Sequence, residues 1–290
     1  MKDVALIDVG GTSIKYGLWN AKKQELTDKG SFETPDDLNG YYSGLTKVIN
    51  SFKENHDLAG VGMSTPGAVN KKNGVIEGAS ALPYIHNFKI QAELEKQFAL
   101  PVSMENDANC AALAEMDSGV AQGMKNLIFM VIGTGVGGSV ILDGHVHHGK
   151  HFFGGEFGYT LSEGSQTLSE LGTAVSLAKR YNEERNTKYS GKEIFVLAKN
   201  GDKLAQTLTQ DLYHHLAVAI YNLQYSFDPE MIVLGGGISQ ADFLIPNIEK
   251  EIHKILDVVK IAPFMPVIKC CDYHNDANLI GAYVDFKQSI

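Results

Sequence analysis

The chain has 290 residues, 44% hydrophobic and 20% charged, with 30 glycines and 8 prolines; this composition excludes disorder and fibrous repeats and provides core material for two domains or one large one. Lys plus Arg is 25 against 34 for Asp plus Glu, a net charge of −9, which argues against nucleic acid as a partner held through its phosphates. The 3 cysteines, Cys110, Cys270 and Cys271, form no disulfide framework and fit a reducing, cytoplasmic setting; without a signal-peptide core or a run approaching 18 apolar residues, no membrane partner is expected.

From the start of the chain, residues 4–9 form a short β-rich apolar run, which ends at Gly10-Gly11-Thr12 and resumes as an alternating run over 14–19. Two such runs about a glycine turn predict a β-hairpin. Leu38, Tyr41, Leu45, Val48, Ile49 and Phe52 recur at three-and-four spacing and predict a helix over 37–55. A strand at 60–63, a helix at 90–98, a strand at 102–104 and a helix at 108–116 follow. The strand–turn–strand layout then returns about half a chain later, as apolar residues 127–132, the glycine-rich turn 133–138 and the strand 139–142. Beyond it come a long helix over 204–225, a strand at 231–234, a helix over 246–256 and a strand at 267–270. Strands alternating with helices define an α/β protein, and the repeated layout predicts two similar halves facing each other. No low-complexity linker separates them, so a hinge near 117–119 is expected, with lobes at 1–117 and 118–276.

Five segments carry the candidate chemistry. Asp8-Val9-Gly10-Gly11-Thr12-Ser13-Ile14-Lys15 sets a carboxylate at a strand end before two residues without Cβ and a hydroxyl. Successive backbone N–H groups there can form an anion nest, and Asp8 beside a phosphate calls for a divalent cation between them, which suits Mg2+. The plain alternative is a hairpin turn. Gly133-Thr134-Gly135-Val136-Gly137-Gly138 is a second such turn, and two opposed phosphate loops suit a nucleotide. Glu105-Asn106-Asp107 follows a strand and opens a helix, where Asn and Asp are good caps. A carboxylate at that place is also well set to take a proton from a hydroxyl; the helix dipole is expected to hold it ionised, so that close geometry rather than a raised pKa would make it a base. Glu156 and Tyr159 in a glycine-rich bend, with Ser169-Glu170 after them, suit sugar hydroxyls or a plain surface. Gly235-Gly236-Gly237 closes a strand with a turn that either admits a flat adenine or merely leads into a helix.

In this order and spacing the segments resemble the ROK family of the actin/hexokinase/Hsp70 superfamily, from Asp8-Val9-Gly10-Gly11-Thr12 to Ala277-Asn278-Leu279-Ile280-Gly281-Ala282. The resemblance implies two actin-like, ribonuclease H-like α/β lobes closing over a cleft, ATP with Mg2+, and γ-phosphoryl transfer to a sugar hydroxyl. It implies a C-terminal helix, 277–290, that packs back on the first lobe. By position Asp107 matches the catalytic base; Asn106, Glu156 and Glu170 match sugar contacts. Asp8, Gly10, Gly11, Thr12 and Lys15 match the first phosphate segment, with Asp8 reaching Mg2+ through water or phosphate. Gly133, Thr134 and Gly135 match the second, and Gly235, Gly236 and Gly237 the adenosine loop. Homodimers are common in the family, which leaves that partner open here.

The chain departs from the family at one place. Most members carry a histidine where Tyr159 stands, then three cysteines that bind structural zinc with it; between Tyr159 and Glu170 there is no cysteine, so no structural zinc is expected. His145, His147, His148 and His151 cluster upstream, more as exposed hairpin histidines than as metal ligands. Tyr159 offers a ring for stacking on a sugar. Zinc-free members with this Glu-Phe-Gly-Tyr pattern resemble β-glucoside kinases, which act on the 6-hydroxyl of the non-reducing glucose in cellobiose or gentiobiose. A glucokinase or an N-acylmannosamine kinase is the alternative on the same scaffold. A non-catalytic sugar sensor is disfavoured because Asp107 and both glycine turns are present. A repressor of this family would need a DNA-binding domain before Asp8, for which this chain leaves no room.

Overall fold

The first apolar run forms β1 (Asp3–Val9), buried from Val4 onward, as expected of a strand covered on both faces. It turns back into β2 (Ser13–Asn20), and β3 (Glu25–Glu33) extends the antiparallel side of the sheet. The sequence reading does not anticipate β3: ELTDKGSFE is a largely exposed edge with no apolar alternation. Asp37 then caps α1 (Leu38–Lys53), its carboxylate accepting the Gly40 N–H at 2.7 Å. Parallel strand β4 (Leu58–Thr65) is followed by the short ribbon β5 (Ala68–Asn70) and β6 (Val75–Glu77). Then α2 (Ile90–Phe98), β7 (Val102–Asn106) and α3 (Asp107–Ser118) complete the run. The sheet order is β3-β2-β1-β4-β7.

These coordinates come from a computed structural model, which describes residues 2–273 and 276–289. The chain divides into two units, one of Met1–Asp117, Gly149–Phe153 and Asn275–Ile290, the other of Ser118–His148 and Gly154–His274.

The second unit repeats the plan of the first. The hairpin β8 (Leu127–Ile132) and β9 (Val136–Leu142) is extended by β10 (His145–Val146). Strand β9 begins at Val136, so Gly137 and Gly138 lie in the strand rather than in the turn the sequence reading gave them; ladder pairing with Met130 and Val131 overrides glycine's low strand preference. A small hairpin, β11 (Leu161–Glu163) and β12 (Gln166–Thr167), leads to α4 (Leu168–Leu171), α5 (Ala174–Arg185), α6 (Gly191–Lys199) and the long α7 (Lys203–Phe227). Strand β13 (Met231–Gly235), α8 (Leu244–Val259) and β14 (Ile268–Cys270) follow. The sheet runs β10-β9-β8-β13-β14, again antiparallel first and parallel after. Ile128, Met130 and Ile132 pack with Leu212, Leu216 and Ile220 of α7 and Ile248 and Ile252 of α8. None of the described helices is long and apolar enough to cross a membrane.

Helix α9 (Ala277–Ser289) belongs to the first unit; of the helix expected over 277–290, Ile290 lies outside the described residues. Alternation along β1 explains where α9 lies. Ala5, Ile7 and Val9 pack with α1, whereas Val4 and Leu6 pack with Leu279, Ala282 and Phe286 of α9. Glycines set the depth of this contact. A Cβ on Gly281 would come within 1.7 Å of the Cys110 carbonyl oxygen in α3, and one on Gly62 within 2.5 Å of the Ala282 oxygen. Gly281→Ala is expected to cost at least about 1–3 kcal/mol of stability by prising the helices apart; a denaturant midpoint equal to wild type would contradict this packing.

Candidate active site

Asp8 shares the β1 face of Val4 and Leu6, the side covered by α9. It is buried, and its Oδ1 accepts hydrogen bonds from Ser64 Oγ of β4 and Asn278 Nδ2 of α9, each at 3.0 Å. Lys15 stands directly opposite Asp8 in the β1–β2 register and is half-buried. Between them Gly11 and Thr12 are exposed. The turn is fixed by the Gly10 N–H to the Ser13 oxygen at 3.1 Å, and by Thr34 Oγ1 donating to the Gly10 oxygen at 2.7 Å. Ser64 and Thr34 carry no motif that the sequence reading could have used.

Asn106 closes β7 and Asp107 opens α3. The Asn106 Oδ1 accepts the N–H of Ala108 at 2.9 Å and of Asn109 at 3.3 Å, while its Nδ2 donates to the Gly67 oxygen at 3.0 Å. Asn106 therefore caps the helix, whatever else it binds. Asp107 is half-buried, and its Oδ1 accepts the Ala108 N–H at 2.8 Å. Burial pushes its carboxyl above the ordinary value; the Ala108 N–H opposes this and the charge of Asp8 adds to it. The expectation of a dipole-held, ordinary carboxylate is thus corrected, because burial and a neighbouring negative charge outweigh the helix N-terminus. Such a carboxyl is better matched to proton abstraction.

Behind Asp107 lies a charge network that the sequence reading missed. Glu105 is fully buried; its Oε1 accepts the Asn106 N–H and Asn109 Nδ2–H, each at 2.8 Å, and its Oε2 faces Lys71 Nζ at 3.5 Å. Lys71 also donates to buried Asp285 of α9 and, at 3.1 Å, to Ser289.

In the second unit Gly133, Thr134 and Gly135 form the exposed turn between β8 and β9, closed by the Gly133 N–H to the Gly135 oxygen at 2.9 Å. A Cβ at Gly133, Gly137 or Gly237 would meet open space, and none of the three has a positive φ. The chain's own packing therefore makes no demand for glycine there, whereas a ligand drawn close to the backbone would, which fits a nucleotide. Gly235 and Gly236 differ. Gly235 is buried in β13 against Phe129, and Gly236 has φ +89° with its Cβ position 2.3 Å from the Ile132 oxygen. The fold itself requires these two glycines.

Glu156 precedes a short helical turn and Tyr159 ends it; both are exposed, Tyr159 by 71%. Glu170 completes a capping box: its Oε2 accepts the Thr167 N–H at 2.7 Å and the Thr167 hydroxyl at 2.8 Å. The Thr167 N–H holds the Glu170 carboxyl below its usual range. Between Tyr159 and Glu170, β11 is anchored by Ser162 Oγ against His215 Nδ1 of α7 at 3.0 Å. Among the described residues no group of three or more His, Cys, Asp or Glu could hold a metal ion, which leaves His145, His147, His148 and His151 without such a cluster.

A glycine–threonine hairpin leading an antiparallel-then-parallel sheet, present once in each unit, defines the actin-like α/β class of protein. The ROK family profile matches residues 4–289, and the chain belongs to the ROK family. It is 32% identical over 297 residues to a β-glucoside kinase of Listeria monocytogenes, covering 98% of this chain and 97% of that one. It is 30% identical to a glucokinase of Halalkalibacterium halodurans, covering 95% and 92%. Its structure superposes on a ROK family protein from Streptococcus pneumoniae in complex with sucrose with a TM-score of 0.88 and 37% identity, covering 99% and 98%.

Proposed function

We propose that this chain is an ATP-dependent sugar kinase whose substrates are β-glucosides such as cellobiose or gentiobiose, phosphorylated at the 6-hydroxyl of the non-reducing glucose. The observation that carries the reading is Asp107: a half-buried carboxyl with a raised pKa, at a helix start, close enough to Asp8 to feel its charge. Asp107 takes the proton of the sugar hydroxyl as that oxygen bonds to the γ-phosphorus and the bond to the β–γ bridging oxygen breaks, leaving ADP. In the first unit Gly10, Gly11, Thr12 and Lys15 receive phosphate; in the second, Gly133, Thr134 and Gly135 do so and Gly237 contacts the adenosine. Asp8 would hold Mg2+, which when bound supplies neutralisation of phosphate charge. Asn106, Glu156 and Glu170 orient sugar hydroxyls. Tyr159, exposed by 71%, offers a ring face for a second pyranose, which favours a disaccharide over glucose. The three free cysteines support a cytoplasmic location.

An ADP-release assay with MgATP against cellobiose, gentiobiose, glucose, N-acetylmannosamine and fructose tests this. The expected result is a kcat/KM for the β-linked disaccharides well above that for glucose. Preference for a monosaccharide would leave a kinase and favour the glucokinase or N-acylmannosamine kinase alternative. No turnover of any sugar would reinstate the sugar sensor.

A further inference from the structure

Three stretches, one read as receiving phosphate and two as holding sugar, meet at one side chain in the second unit. Ser169 is the residue before Glu170 in α4, and its Oγ accepts the N–H of Val136 at 2.9 Å. Val136 is the first residue of β9, immediately after the phosphate turn Gly133-Thr134-Gly135. The same hydroxyl lies 3.2 Å from the position a Cβ would take on Gly135. On its other flank is Gly158, between Glu156 and Tyr159, where a Cβ would fall 2.0 Å from the Val136 oxygen and 2.3 Å from Ser169 Oγ. Gly158 is buried, so the bend carrying Glu156 and Tyr159 can lie this close to β9 and α4 only without a side chain there. The junction holds backbone from the turn, the bend and the helix around one hydroxyl.

We propose that Ser169 is a positioning residue that makes the phosphate turn and the sugar-side residues a single mechanical body, so that sugar binding and nucleotide binding reinforce each other. The physical reason is local. The turn 133–135 is exposed, and the Val136 N–H is its first anchor outside the β8–β9 hairpin. With that anchor, a sugar held by Glu156 and Glu170 also fixes the turn that receives phosphate, and the entropy of ordering the turn is lost once for both ligands. Without it, the turn keeps its own Gly133–Gly135 bond and its ladder base but loses its link to the sugar-side residues. The inference rests on the kinase reading above and adds to it how the two substrates communicate.

The test is Ser169→Ala, with glucose and Mg·AMPPNP as probes and MgATP turnover alongside. In wild type, saturating glucose is expected to tighten AMPPNP binding several-fold in calorimetry. In S169A that factor should fall toward one, while AMPPNP binding without sugar changes less than about threefold, in keeping with one hydrogen bond. The kcat/KM for MgATP should drop about tenfold or more, since small displacements at a phosphoryl site are amplified in rate, with the glucose KM rising much less. A purely structural role would lower the unfolding temperature and leave the glucose effect on AMPPNP intact. Gly158→Ala wedges the same junction from the bend side and should reproduce the uncoupling. A wild-type factor already at one, or a factor that survives in S169A, overturns the proposal. A wild type that phosphorylates no sugar removes the kinase reading and this inference with it, so the two failures are separable.

Discussion

Asp107→Asn is expected to lower kcat by about 10²–10⁴-fold while sugar and nucleotide affinities hold, because the amide keeps the shape and hydrogen-bond reach of the carboxyl but cannot take a proton. Steady-state kinetics together with calorimetric binding decide it; near-normal turnover would remove the assigned role. The raised pKa adds two signs. With Asp107 as the base, turnover would need its ionised carboxylate, and because its pKa is raised the acid limb of kcat/KM should lie above the ordinary aspartate value of about 3.9. In the folded state burial and Asp8 favour the protonated form, so the ionised group opposes folding at neutral pH, and stability is regained as pH falls through the folded pKa. D107N, always neutral, should therefore melt above wild type at pH 7 and converge with it in acid. A variant that melted lower at pH 7 would contradict the environment described for Asp107.

Lys71→Met is expected to cost about 3–5 kcal/mol of stability, the range for breaking a buried ion pair from one side. The low end is favoured because the Lys71 side chain keeps 32% of its exposure. Two buried carboxylates, Glu105 and Asp285, would lose their shared cation. Burial works against the Lys71 ammonium, but Asp285 and Glu105 outweigh it and raise its pKa. The contribution is therefore fully present at neutral pH and fades only as pH rises through that raised value. Burial in turn pushes the Asp285 carboxyl up, against the pull of Lys71. Asp285→Asn, which leaves Lys71 and Glu105 as a balanced pair, should be milder than K71M. Urea midpoints for both variants test the order, and an equal or reversed order would show that the network is not charge-limited.

The parts of the fold legible in the sequence are those where one local signal dominates. The apolar runs of β1 and β8 with their glycine turns, and the three-and-four spacing of α1, left little competition among local structures. The edge strand β3 was illegible because an exposed edge has no apolar period to display. The stretch that forms β11, β12 and α4 was illegible because its elements are two to four residues long. At the candidate site, Asp8, Asn106 and Asp107 could be named from motif position, but their environments could not. Asn278 reaches Asp8 across 270 positions, and Lys71 meets Asp285 across 214; no local pattern records such partners. Gly235 carries a demand the sequence does not display: Phe129 packs against it, so the fold itself calls for glycine there.

Because α9 covers one face of β1 and supplies Asn278 and Asp285, the first unit remains unfinished on the ribosome until the whole second unit has been made. At about 5–20 residues per second, the stretch between α3 and α9 keeps the Val4 and Leu6 face of β1 uncovered for roughly 10–30 s. During that time the nascent sheet presents an apolar surface that chaperones can hold and that neighbouring nascent chains can join. Fragments ending before Ala277 should therefore be recovered as aggregates rather than as a separately folded lobe, and the second unit is the better candidate for independent expression.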